Sequence, residues 1–271
     1  MAYGFTPGDV AFLCSTEGED ALASAEQLPL TPSSLLSDVD ALRTVTGARA
    51  GAVLETAVLR RRARSKVDGA QHWLLTDDAL QQATSTPVAV HRAARLAGRD
   101  VHDLTCSIGA DLGAVAAVAR RALGSDVDAV RLAMAAHNLP GVPLVRADAL
   151  RPVSRGAVLL ADPARRDDAG RRRWRPSDFR PPLDELVDAA GGRDLVVKVA
   201  PGLGPRGGAL GGRGGVGLAG RRGAGGGAVV PGAGDPRGAA ARHGAVLDRS
   251  GVDGHRRGTR RRRGAGAGLA F

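Results

Sequence analysis

The sequence predicts an α/β protein: a parallel sheet flanked by helices over residues 91–202, a helical region before it at 1–90, and a Gly/Arg-rich tail at 203–271. Three observations carry this. Short apolar runs alternate with helix-like segments only in the middle of the chain. The first 90 residues show helical spacing of leucines among small and acidic residues. From residue 203 onward glycine fills 23 of 69 positions, isoleucine is absent and Phe271 is the only aromatic. Such a tail cannot bury enough apolar area to offset its ordering entropy, so disorder is expected there.

In the helical region, Phe12, Leu22, Leu28, Leu30, Leu35 and Leu36 supply apolar anchors, and Thr31-Pro32-Ser33-Ser34 supplies helix-start chemistry. A second helix is expected over residues 48–64, ending in Arg60-Arg61-Arg62-Ala63-Arg64. That cluster reads as a solvated helix end favoured by the macrodipole, with an RNA-facing patch as the alternative. In the middle region, strands are expected at 100–105, 142–146, 156–161 and 194–199, with another ending near Asp126. Helices are expected at 112–123, 130–137 and 182–190. The run Gly156-Ala157-Val158-Leu159-Leu160-Ala161 is apolar on both faces, as a central strand requires.

Charge is unevenly placed. The net +10 lies wholly in residues 203–271, with 13 Arg against three Asp, while residues 1–202 balance. A basic tail attracts phosphate, but the body gives no such argument. Arginine outnumbers lysine 36 to 2, the lysines being Lys66 and Lys198, which suggests a GC-rich coding sequence. In such a coding sequence a one-nucleotide frame shift near residue 203 accounts for the abrupt change in composition. It would leave a five-strand sheet with an unpaired outer edge and compromise activity. The start of the chain lacks a basic stretch followed by an apolar one, and no apolar run approaches 18 residues. A cytoplasmic protein with no membrane span is therefore expected. Cys14 and Cys106 form no disulfide framework, and His72, His91, His102 and His137 have no ligand spacing, so no metal is expected.

The chemistry-bearing residues follow the expected strands. Asp103 opens Asp103-Leu104-Thr105-Cys106-Ser107-Ile108-Gly109-Ala110-Asp111, a strand, a tight turn and a helix start. In open parallel sheets ligands bind at the carboxyl ends of strands. Gly109 lets a backbone approach a ligand closely, and the turn is expected to offer backbone N–H groups to it. Asp126, Asp148 and Asp162 follow successive strands. One such acid is more often a helix cap; four in order form a pattern. An acid at the second strand suits a ribose diol. A nicotinamide site would want G-x-G-x-x-G in the first turn, and only Gly109 is present there.

The 103–111 segment resembles the D-x-x-C-G-x-G-G-D loop of class I S-adenosylmethionine-dependent methyltransferases, closest to the branch around trimethylguanosine synthase. Residues 82–91 (Q-A-T-S-T-P-V-A-V-H) and 133–138 (A-M-A-A-H-N) resemble other segments of that branch. The bacterial THUMP-like-domain methyltransferases are the nearest group. The resemblance spans residues 1 to about 202 and is specific over 71–166.

It implies a Rossmann-like fold and S-adenosylmethionine as cofactor. Asp103, Cys106, Ser107, Gly109 and Asp111 would border the methionine moiety. Asp126 would hold the ribose, Asp148 the adenine, and Gln82 and Thr84 would close over the cofactor. Asp162 and Pro163 would face the methyl acceptor, for which RNA or another nucleobase-bearing molecule is expected. Two departures stand out. Ser107 and Ala110 replace glycines usual in the family, and Ala164-Arg165 follows Pro163 where related enzymes carry proline and an aromatic. Arg165 could stack on a base or lie at the surface. The competing readings are a non-catalytic or inactivated Rossmann-type nucleotide-binding protein and a basic-tail nucleic-acid binder.

Overall fold

The computed structural model describes residues 3–164 and 179–198, with the backbone of 216–219 and 229–230. All belong to one of the chain's two compact units, Met1–Gly234. Outside those two short backbone segments, the tail and its expected disorder lie beyond the described residues, as does Arg165.

The helical region is built from α1 (Pro7–Leu13), α2 (Thr16–Glu26), α3 (Leu35–Thr46), α4 (Ala50–Ala63), α5 (Asp77–Gln82) and α6 (Thr86–Ala93). Sequence chemistry sets the first start. Thr6 and Asp9 form a reciprocal capping box ahead of α1, with Pro7 in the first turn. Helix α4 occupies the centre, burying Ala52, Val53, Ala57, Leu59 and Ala63 against α2 and α3.

Two expectations are corrected in this region. Leu36 is 82% exposed and Leu35 44% exposed. Helix α3 instead turns Leu42 and the Asp38 carboxylate inward, where Asp38 Oδ2 accepts from Leu30 N–H at 3.0 Å and from Ser34 Oγ at 2.7 Å. The arginine cluster ending α4 is knitted into the protein as well. Arg60 is buried and donates to Trp73 O at 3.0 Å. Arg61 donates to the carbonyls of Glu26, Leu28 and Pro29, and Arg62 pairs with Asp77 at 2.6 Å. Arg60 and Arg61 satisfy loop carbonyls that water would otherwise have to serve, so the solvated-end reading holds for Arg62 and Arg64, which are exposed, and not for Arg60 and Arg61.

The sheet runs β1 (Asp100–Asp103), β2 (Arg121–Asp126), β3 (Leu144–Arg146), β4 (Val158–Ala161), β5 (Leu195–Lys198), β6 (Val216–Ala219) and β7 (Val229–Val230). Helices α7 (Ala110–Ala116), α8 (Ala129–Asn138) and α9 (Leu183–Ala190) connect them. The spatial order is β3-β2-β1-β4-β5-β6-β7. Strands β1 to β5 are mutually parallel, whereas β6 and β7 add antiparallel. This is the expected Rossmann-like parallel α/β sheet. The chain winds outward through β2 and β3, then returns to place β4 on the other side of β1. That reversal opens a crevice above the carboxyl ends of β1 and β4.

Two further expectations are corrected. The helix expected over 112–123 ends at Ala116, because Arg121, Ala122 and Leu123 pair with Asp100, Val101 and His102. Ala122 and Leu123, good helix formers, serve a strand there, where pairing overrides helix propensity. The outer edge of the fifth strand is not unpaired either: Leu195 to Lys198 register against Ala219 to Val216. The glycines and valines of that segment permit extended backbone whatever their origin.

Candidate functional site at the carboxyl ends of the strands

A cavity of about 410 Å³ opens above β1, β2, β4 and β5. That is a size typical of small-molecule sites. Of the sequence-predicted residues, Gln82, Asp103, Cys106, Ser107, Asp111, Asp126, Asp148 and Asp162 line it. Thr84, Gly109 and Pro163 lie off its wall.

The turn after β1 is held by its own hydrogen bonds. Thr105 N–H donates to Asp103 Oδ1 at 3.1 Å and Cys106 N–H to Ser125 O at 2.9 Å. Ser107 N–H donates to Asp126 Oδ2 at 2.9 Å and Gly109 N–H to Cys106 O at 2.8 Å. These four donors are therefore spent internally; the N–H groups of Ala110 and Asp111, which open α7, are not among them. Ser107 sits at φ 49°, in the left-handed region that favours glycine. This explains why glycine is usual at that position in the family that the sequence resembles. Gly109 has φ 94°, and a Cβ there would lie 2.5 Å from Leu139 Cδ1. Its role is to turn the chain against Leu139, not to bring the backbone close to a ligand.

The acids differ in state and partners. Asp103 is buried. Burial above all, with Asp111, Asp162 and Asp126 nearby, pushes its carboxyl well above the ordinary range, against the pull of Thr105 N–H. Asp126 receives Ser107 N–H on one oxygen and Asp128 N–H on the other at 2.9 Å, which leaves lone pairs on both for a diol. Asp148 is exposed at the rim and accepts from Leu150 N–H at 2.9 Å. Burial drives the Cys106 thiol upward, so it stays protonated and is no nucleophile.

Asp111 is a hub. Thr84 Oγ1 donates to its Oδ2 at 2.8 Å, Arg92 Nη1 pairs with its Oδ1 at 3.2 Å, and Lys198 Nζ lies 3.5 Å away. Thr84 thus acts from behind Asp111 and does not cover the cavity itself. Lys198, the last residue of β5, also donates to Asp162 Oδ2, while Asp162 N–H donates to Thr105 Oγ1 at 2.7 Å. Sequence reasoning missed Lys198, Arg92, Arg131 and Thr105. A signal existed for Lys198: it ends the fifth strand and is one of two lysines in an arginine-rich chain. Pro163 is buried beside Asp162 and fixes the chain's exit from β4.

Comparison with known proteins adds the following. Residues 6–63 match a domain of unknown function, DUF8688. The chain is 54% identical over 172 residues to two proteins described as uncharacterized S-adenosylmethionine-dependent methyltransferases, from Mycobacterium tuberculosis strains CDC 1551 and H37Rv, covering 60% of this chain and 48% of each relative. It therefore spans about half the length of the curated relatives it matches. Among solved structures, a Porphyromonas gingivalis W83 protein described as a methyltransferase aligns with TM-score 0.47 and 20% identity, over 68% of this chain and 49% of that one. An amino pentose methyltransferase from Micromonospora echinaspora, with S-adenosylmethionine bound, aligns with TM-score 0.32 and 21% identity, over 44% and 52%. No described helix is long and apolar enough to cross a membrane.

Proposed function

We propose that the chain is an S-adenosylmethionine-dependent methyltransferase acting on RNA or another nucleobase-bearing acceptor. The observation that carries the reading is the ring of carboxylates Asp103, Asp126, Asp148 and Asp162, each at or just beyond a strand's carboxyl end, around one cavity. The 54% identity to methyltransferases supports it. The donor set fits the cofactor. Carboxylates suit a sulfonium and an ammonium, Asp126 can accept a ribose diol, and Asp148 can accept an exocyclic amine.

When bound, S-adenosylmethionine supplies an activated methyl group. The chain's own residues position, shield and neutralise. Asp103 and the Cys106–Ser107 turn wall the amino-acid end. Asp162, paired with Lys198, faces the acceptor at the end of β4. Catalysis of a direct displacement needs alignment above all, and no nucleophilic side chain. Arg95 and Arg180 share the cavity wall with Arg92, paired with Asp111, and Arg131, paired with Asp78 and Asp128; Arg95 and Arg180 suit a phosphate-bearing acceptor.

Incubating the full chain with methyl-labelled S-adenosylmethionine and bulk bacterial RNA tests the reading. Label is expected in RNA with the wild-type chain and lost in Asp126→Asn. Equal labelling by both proteins would contradict the assignment of Asp126, and none by either would contradict RNA as the acceptor.

A further inference from the structure

The shape of the cofactor turn depends on the helical region. Ser107 holds a left-handed backbone at φ 49° and Gly109 one at φ 94°. A non-glycine residue in that region persists only where its surroundings over-determine it. One restraint is internal to the sheet, Ser107 N–H on Asp126. The other comes from Asn138, the last residue of α8. Its Nδ2 donates to Ile108 O at 3.0 Å and to Leu74 O at 2.9 Å, while its Oδ1 accepts Leu74 N–H at 2.7 Å. One side-chain amide thus grips both backbone groups of Leu74 in the helical region and holds the Ile108 carbonyl of the turn. The Ile108 side chain is 1% exposed and packs in the helical region's core with Leu13, Leu59 and Leu74, not in the core of the sheet.

We infer that Asn138 is a positioning residue for the cofactor, and that the helical region, through Asn138 and Ile108, fixes the turn that walls the amino-acid arm. The region spanning the matched domain of unknown function thereby completes the cofactor site. The assignment of the arm rests on the methyltransferase reading; the pinning of the turn does not. No other side chain of asparagine's size offers two donors and an acceptor from one planar group. Aspartate has the same shape and keeps the bond from Leu74 N–H, but it sets a carboxylate against two carbonyls.

The test uses the full chain with Asn138→Asp, or Asn138→Ala should the first not fold. Hydrogen exchange is expected to quicken at residues 106–109 and stay unchanged in β1 and β2. Affinity for S-adenosylhomocysteine is expected to fall by roughly tenfold, the worth of one or two hydrogen bonds. Affinity for 5′-methylthioadenosine, which lacks the amino-acid arm, should change by less than about twofold on the same reasoning. Unchanged exchange in the turn, or equal loss of both ligands, would overturn the inference. If the wild-type chain binds neither ligand, the methyltransferase reading fails, and the exchange measurement alone decides the pinning.

Discussion

His102 stands in the middle of β1 with no exposed surface, between Ser154 Oγ at 2.9 Å and Ser125 Oγ at 3.0 Å. Burial, helped by Arg193, pushes its pKa down to about 4. The unfolded chain takes up this proton near the ordinary histidine value, while the folded chain resists it until about pH 4. Its contribution is therefore complete above the ordinary value and fades as pH falls through that window. Across the window the loss is roughly 3 kcal/mol. Denaturant unfolding of wild type and His102→Asn at several pH values checks it: the difference between them should shrink on acidification, and a constant difference would refute the assignment. Lys198 makes a second residue-scale claim. Lys198→Met should slow the proposed methyl transfer by about a hundredfold, as loss of one preorganised charge does, with affinity for S-adenosylmethionine changed by no more than about threefold. Kinetics paired with calorimetry separate the two. The four strand-end acids were legible in sequence because strand ends and acids are both local features. The pairing of Lys198 with Asp162 was not, since which cation reaches Asp162 depends on how β5 lies beside β4.

Among the elements, the start of α1 depends on the Thr6–Asp9 box, whose Asp9 also pairs with Arg49 at 2.7 Å. Thr6→Ala should cost about 1 kcal/mol, read as a lower denaturation midpoint with unchanged slope. A change smaller than the error of the midpoint would mean that Asp9 holds the helix start without its partner. Strand and helix identities were largely readable, and their limits were not. The stretch from Ala116 to Leu123 (A-A-V-A-R-R-A-L) holds no glycine or proline, so no helix breaker marks where α7 stops and β2 begins. Pairing with β1 decides it. The arginines ending α4 look solvated by composition, yet Arg60 and Arg61 serve carbonyls more than ten residues away in sequence. Long-range satisfaction of loop carbonyls leaves no periodic trace.

For the whole molecule, the helical region and the sheet are one functional object. The cavity takes Ala79, Gln82 and Ala83 from before the first strand and its acids from after successive strands. The alternation of apolar runs revealed the sheet, and the leucine spacing revealed the helices. Their union through Ile108, Met134 and Asn138 was hidden, because it joins residues about sixty positions apart. The antiparallel β6 against β5 was hidden too, in a segment whose composition argued against any strand. The central claim is that this cavity takes S-adenosylmethionine. Calorimetric titration of the full chain with that cofactor tests it most directly. The account predicts saturable binding at one site per chain, weakened at least tenfold in Asp126→Asn, the loss expected when a carboxylate that accepts a ribose diol is neutralised. Absence of binding by the wild-type chain, or equal affinity in the variant, would contradict it.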